Sequence, residues 1–247
     1  MIPLHDDVPT ARRPWVTYGL IGTCVLVYLW EIGRTDRELT EVFYTLGFVP
    51  ALLLGEVELA PGTAAVHSAV ALVTSMFLHG GFLHLAGNML YLWIFGNNVE
   101  DAMGRSRFLA FYLLCGISAA LAQGIQDPSS MVPMVGASGA IGGVLGAYLL
   151  LHPHARVLAL VPLGIIFFTM RIPAYVVLGL WFVFQLIAGG AADGVEGGVA
   201  YWAHIGGFAA GMVLLFVFKR AGVPIWDSGR TGSPRQPTFT RRQGPWG

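Results

Sequence analysis

The sequence predicts an all-α fold, a polytopic membrane bundle of six transmembrane helices with a long membrane-associated first loop. Three observations lead there. Of 247 residues, 55% are hydrophobic and only 11% charged, where soluble domains run near 25% charged, and mean hydropathy is +0.66. The apolar residues gather in runs close to the roughly 20 needed to cross a bilayer. The basic residues fall on alternate connections. This composition excludes an ordinary water-soluble globule, and a formal net charge of zero gives no global attraction to nucleic acid. The 33 glycines have no collagen-like period and suit helices that pack closely in lipid. Cys24 and Cys115 each lie within an apolar stretch and read as small core residues rather than a disulfide framework.

A first span runs from about Pro14 to Ile32, opening on Trp15 and Tyr18 as interface anchors. No cleavage pattern follows it promptly, so it is expected to be retained. The long segment from Gly33 to about Gly81 carries turn residues (Gly47, Pro50, Pro61, Gly62), with an interfacial or partly buried helix expected over Ala64 to Leu78. Further spans are expected at about Phe82 to Val99, Phe108 to Gln126, Val135 to Leu151, Ile172 to Gly189 and Val199 to Phe218. The apolar stretch Val157 to Met170, broken by Pro162 and Gly164, is short for crossing and is expected to form a membrane-hugging connection. The domain reading is therefore an N-terminal segment 1–13, a membrane domain 14–220 and a disordered tail 221–247, whose polar, proline-punctuated composition cannot order itself.

Charge tests the count independently, because cytoplasmic loops collect Lys and Arg. Six spans place Arg12, Arg13, Arg105, Arg107, Arg156, Arg171 and the six basic residues from Lys219 onward on one side, twelve of fourteen. Only Arg34 and Arg37 face the other way. Both termini are thus expected to be cytoplasmic, in a bacterial inner membrane. A crossing at Val157 to Met170 would put Lys219 and Arg220 outside and erase the bias.

A strongly hydrogen-bonding residue inside a span costs a few kcal/mol and needs a reason. Four stand out: His84 and Asn88 in the second span, Ser138 in the fourth and His204 in the sixth. All three spans run from outside to inside, and at about 1.5 Å per residue the four side chains lie about 3 to 9 Å below the outer face. His84 and Asn88, four residues apart, share a helical face. Gly139, Gly142, Gly143 and Gly146 form a smooth ridge on the fourth span, and Gly207 and Gly211 a matching pair on the sixth. Such faces bring helices into contact and Ser138 within reach of His204. A serine hydroxyl becomes a useful nucleophile when a neutral imidazole accepts its proton. Asn88, His84 and the Ser138 backbone N–H could stabilise an oxyanion. No acidic residue lies at this depth, so a Ser-His dyad without a carboxylate is expected.

These residues occur as Phe77-Leu78-His79-Gly80-Gly81-Phe82-Leu83-His84-Leu85-Ala86-Gly87-Asn88, followed by Gly96-Asn97-Asn98-Val99-Glu100, then Gly136-Ala137-Ser138-Gly139, then Ala203-His204-Ile205-Gly206-Gly207. In this ordered set the chain resembles the rhomboid family of intramembrane serine proteases. The resemblance implies cleavage of substrate transmembrane segments near the outer face, with Ser138 as nucleophile, His204 as general base, and His84 and Asn88 lining the oxyanion site. It also implies structural roles for His79 in the first loop, for Glu100 in packing the second and third helices, and for Gly207 in close contact on the last helix; Gly136, Gly139 and Gly211 are likewise expected to be structural. Many relatives carry a tyrosine four residues after the nucleophile, stacked on the base. Here that position is Gly142, leaving Tyr148 as one candidate brace for His204.

The partners expected are single-span or polytopic membrane proteins and the bilayer itself, with no cofactor, metal or nucleic acid. Two other classes compete. A non-catalytic binder of the pseudoprotease type is disfavoured because both Ser138 and His204 are present. A transporter or metal channel using His79, His84 and His204 lacks a carboxylate or thiol at that depth. Substrate is expected to enter past the fifth span and the glycine-rich loop Gly189 to Gly198.

Overall fold

The computed structural model describes residues 1–53, 68–163, 166–191 and 198–226. The chain opens with a short strand, β1 (Ile2–Asp6), and then α1 (Trp15–Glu31), apolar along most of its length. The polar stretch after it starts α2 (Asp36–Leu46) with a capping box: the Thr35 N–H donates to the Glu38 carboxylate at 2.8 Å, and the Glu38 N–H donates to Thr35 Oγ1 at 3.4 Å. A short α3 (Pro50–Leu53), α4 (Ser68–Thr74) and a 3-10 turn (Ser75–Phe77) complete the described part of the first loop. The helix expected from Ala64 is therefore seen only from Ser68, the residues before it lying outside the described part.

The polypeptide then bends by 85° into α5 (Phe82–Met103). A single residue, Gly104, separates α5 from α6 (Arg105–Gln126), and its φ of +87° is the left-handed conformation that glycine alone adopts without strain. An extended connection leads to α7 (Ser138–Leu151), which lies at the centre of the bundle between α5, α6 and α9 (Tyr201–Phe218), with eleven of its 14 residues buried. Before α9 comes α8 (Ala174–Ala191), which turns Leu180, Phe184 and Ile187 outward. An outward row of large apolar side chains marks a surface that lipid or another protein covers.

All six apolar helices expected from the sequence are present, within a few residues of their expected limits. Among the described residues, α6, α8 and α9 are candidate membrane spans by length and composition, and Ser68–Phe77 with α5 makes a fourth if that bent pair is one span. Two others fall short of that count, α1 with 17 residues and α7 with 14. At about 1.5 Å per residue α7 covers about 21 Å of an apolar core of about 30 Å.

The fold is not purely helical. The stretch expected to hug the membrane is a hairpin of β2 (Arg156–Leu163) and β3 (Ile166–Pro173), and β1 adds to β2 to make a three-stranded antiparallel sheet in the order β1-β2-β3. The run is rich in Val, Ile, Phe and Leu, and two paired strands satisfy backbone groups that a 14-residue helix interrupted by a proline could not. Leu158 pairs with Arg171, so Arg156 and Arg171 return to the same end of the hairpin, as the charge pattern requires. Ile166, Phe167, Phe168 and Met170 of β3 are exposed.

The N-terminal segment is bound to the bundle. Asn98 Nδ2 donates to the Val8 carbonyl at 3.0 Å, the Ala11 N–H donates to Asp101 Oδ2 at 2.9 Å, and the buried Tyr148 hydroxyl donates to Asp6 Oδ2 at 2.6 Å. At the other end the chain stays attached past Arg220, because the Trp226 N–H donates to the Leu150 carbonyl at 2.7 Å. Residues 221–226 thus belong to the folded unit rather than to the expected tail. Residues 227–247 lie outside the described part.

Candidate functional site

Close contact between α7 and α9 builds the site. A Cβ added to Gly207 would lie 2.0 Å from the Gly139 carbonyl oxygen, and one at Gly211 would lie 2.0 Å from that of Gly143. The two helices therefore touch backbone to backbone, as their small residues allow. Gly139 also admits α6, since its Cβ would meet that of Ala119 at 2.6 Å. Within this contact Ser138 is the first residue of α7 and His204 lies in the first turn of α9. His204 Nε2 is 2.8 Å from Ser138 Oγ.

The other ring nitrogen meets a residue absent from the sequence reading. Gln185 of α8, buried, places Oε1 2.7 Å from His204 Nδ1. One turn earlier on the same face, Trp181 lies over the imidazole with ring centroids 5.8 Å apart and planes at 34°. The signal that could have exposed Gln185 is simple: it is the only side-chain amide in the 18 residues of α8, which has no Asp, Glu, Lys, Arg or His. The brace for His204 is therefore on α8. Tyr148 does not serve; it packs on Phe95 and His152 and bonds to Asp6. Gly142 lies against the His204 main chain, where a Cβ would be 3.0 Å from the carbonyl oxygen.

From α5, His84 and Asn88 join Ser138 and His204 in lining one open cavity of about 1650 Å³. Asn88 is buried, and its Nδ2 has no hydrogen-bond partner among the described residues. An amide donor left unpaired while buried is costly unless something else accepts from it. Gly136, at φ +122°, makes room for His84, because a Cβ there would sit 2.6 Å from the imidazole. His79 packs edge-on against His84 with centroids 5.2 Å apart, and its backbone N–H donates to the Glu31 carboxylate at 3.2 Å.

Glu100 is tied to the first helix rather than the third. Its carboxylate accepts from the Val16 N–H at 3.1 Å, the Thr17 N–H at 2.8 Å and the Thr17 hydroxyl at 2.9 Å, which fastens α5 to the start of α1. The first backbone N–H groups of a helix have no partner within it, and a carboxylate is a strong acceptor for them. Cys24 and Cys115 are free and buried, as expected of core residues. Among the described residues, no three His, Cys, Asp or Glu side chains are grouped to hold a metal ion.

A neutral imidazole at 2.8 Å can take the proton of a serine hydroxyl. As the first helical residue, Ser138 also directs an N–H with no intrahelical acceptor toward the cavity end of α7. Apolar helices suited to a membrane thus enclose an open cavity lined by a hydrogen-bonded serine and histidine. Residues 66–221 match the Rhomboid domain family. The chain is 36% identical over 203 residues to Rhomboid protease GluP of Bacillus subtilis, covering 82% of this chain and 35% of that protein. It is 28% identical over 214 residues to the mitochondrial Rhomboid protein 1 of Saccharomyces cerevisiae (83% and 54%). It is also 26% identical over 239 residues to the human mitochondrial Presenilin-associated rhomboid-like protein (88% and 54%). The chain belongs to the rhomboid family, and it spans about half or less of the length of these relatives.

Proposed function

We propose that this protein is an intramembrane serine endopeptidase that cleaves transmembrane segments of membrane proteins near the outer face of the bilayer. The observation that carries the reading is the 2.8 Å contact between His204 Nε2 and Ser138 Oγ. His204 accepts the hydroxyl proton as Oγ attacks the scissile carbonyl carbon. The oxyanion that forms takes hydrogen bonds from Asn88, His84 and the Ser138 N–H. The tetrahedral intermediate then collapses, the imidazolium returns its proton to the leaving amine, and Ser138 holds the acyl group. Water, deprotonated by His204, releases it. The unpartnered amide of Asn88 suits this role, since its acceptor arrives only with the reaction.

The membrane domain 14–220 is proposed to cross six times, with both termini on the side that carries twelve of the fourteen basic residues. Relatives come from bacteria and mitochondria, so orientation is assigned relative to the basic side rather than to a named membrane. Substrates are helices that must unwind locally, because attack on a carbonyl requires an extended backbone. Purified protein incubated with a single-span model substrate tests the reading. Cleavage by the wild type should fall on the order of 10⁴-fold or more in both Ser138→Ala and His204→Ala. Equal cleavage by all three proteins refutes it.

A further inference from the structure

The pair Ser138 and His204 works only if the imidazole presents a lone pair at Nε2. A neutral imidazole has one N–H, and whichever nitrogen carries it is fixed by what the other ring edge meets. A side-chain carbonyl oxygen accepts and cannot donate. With Gln185 Oε1 at 2.7 Å from Nδ1, the proton belongs on Nδ1, and Nε2 is left to accept from Ser138. The contact is buried, and no carboxylate of the described residues touches the ring. Burial strengthens such a bond and raises the cost of losing it. The bond also becomes charge-assisted when His204 takes up the serine proton, so it contributes most as the reaction proceeds.

An amide inside an otherwise apolar outer helix is disfavoured in lipid unless it has a partner. Among the described residues Gln185 finds one in His204, and Trp181, four residues earlier, packs on the ring from the same face. Resting on the reading of Ser138 and His204 as the reacting pair, we propose that Gln185 is a positioning residue whose side-chain carbonyl holds His204 in its Nδ1–H tautomer. The third member of the constellation is thus an amide supplied by α8.

Two readouts on the full-length protein in detergent micelles test this. In ¹⁵N-histidine NMR, with His204 assigned by its loss in His204→Ala, the wild type should show a protonated Nδ1 and an unprotonated Nε2. Gln185→Leu, of similar volume, should fold with a modestly lowered melting temperature, because the buried Nδ1 loses its partner, while populating the other tautomer. In the cleavage assay it should lose up to about 10²-fold in kcat with KM within about twofold. Gln185→Glu, which restores an oxygen acceptor at the cost of a charge, should recover most of that loss. A merely structural glutamine gives the opposite order, with Leu active and Glu impaired. A wild-type His204 protonated at Nε2, or a Gln185→Leu variant with wild-type kcat, overturns the proposal. The tautomer is read without any substrate, so a protein that cuts nothing would refute the protease reading and still decide the role of Gln185. Cleavage abolished by Ser138→Ala but untouched by Gln185→Leu would strike Gln185 alone.

Discussion

Gly207 of α9 lies so close to Gly139 of α7 that a Cβ on it would be 2.0 Å from the Gly139 carbonyl oxygen. That contact sets the distance between the helices, and with it the 2.8 Å between Ser138 and His204, one and three residues away along their helices. A backbone oxygen cannot swing aside as a flexible side chain can. Gly207→Ala should therefore force α9 away from α7, destabilise the bundle by about 3 kcal/mol and abolish cleavage. Chemical unfolding in detergent beside the activity assay checks this. Unchanged stability would mean the helices are not in backbone contact.

Gly136→Ala acts more locally. The residue has φ +122°, and the added methyl would press on His84 at 2.6 Å. Cleavage should fall about 10- to 10²-fold, as for a displaced oxyanion donor. Chemical unfolding should shift by about 1 kcal/mol, the cost of an L side chain in that conformation. A loss of activity matched by wholesale unfolding contradicts a local role.

Glu100 links α5 to the start of α1 through three hydrogen bonds. Glu100→Ala leaves two backbone N–H groups and the Thr17 hydroxyl without their acceptor, and should cost about 3 kcal/mol. Thr17→Val removes one bond and should cost about 1 kcal/mol. The smaller effect in Glu100→Ala would show that α1 is held by other contacts.

Much of this was readable in advance. Six apolar runs became helices near their expected limits, and the four polar side chains expected at one depth, His84, Asn88, Ser138 and His204, line one cavity. What the sequence withheld depends on rotation and pairing. Gln185 matters only because α8 turns that face toward His204, and no spacing rule fixes the rotation of a helix that is apolar all round. The apolar run from Val157 to Met170 has no strict alternation, so strand and helix fit it equally. The partner for β2 comes from the extreme N-terminus, where Asp6 reaches Tyr148 across 142 positions. Glu100 likewise meets Thr17 across 83.

Burial pushes the Asp6 carboxyl above its ordinary value of 3.8, against the smaller opposing effect of the Tyr148 hydroxyl. The native state then holds that proton more tightly than the unfolded chain. The stabilisation from it is fully present below pH 3.8 and is lost as pH rises through the raised native value. Asp6→Asn keeps an acceptor without the charge. Its melting temperature should match the wild type near about pH 3.5 and exceed it near about pH 7.5. A difference that does not vary with pH contradicts this.

The central claim is that His204 makes the Ser138 hydroxyl nucleophilic. Labelling of the intact protein with a fluorophosphonate probe, mapped by mass spectrometry, tests it without any choice of substrate. The modification is expected on Ser138, and it should vanish in Ser138→Ala and slow by several orders of magnitude in His204→Ala. Modification of some other residue, or labelling of Ser138 at an unchanged rate in His204→Ala, would contradict it.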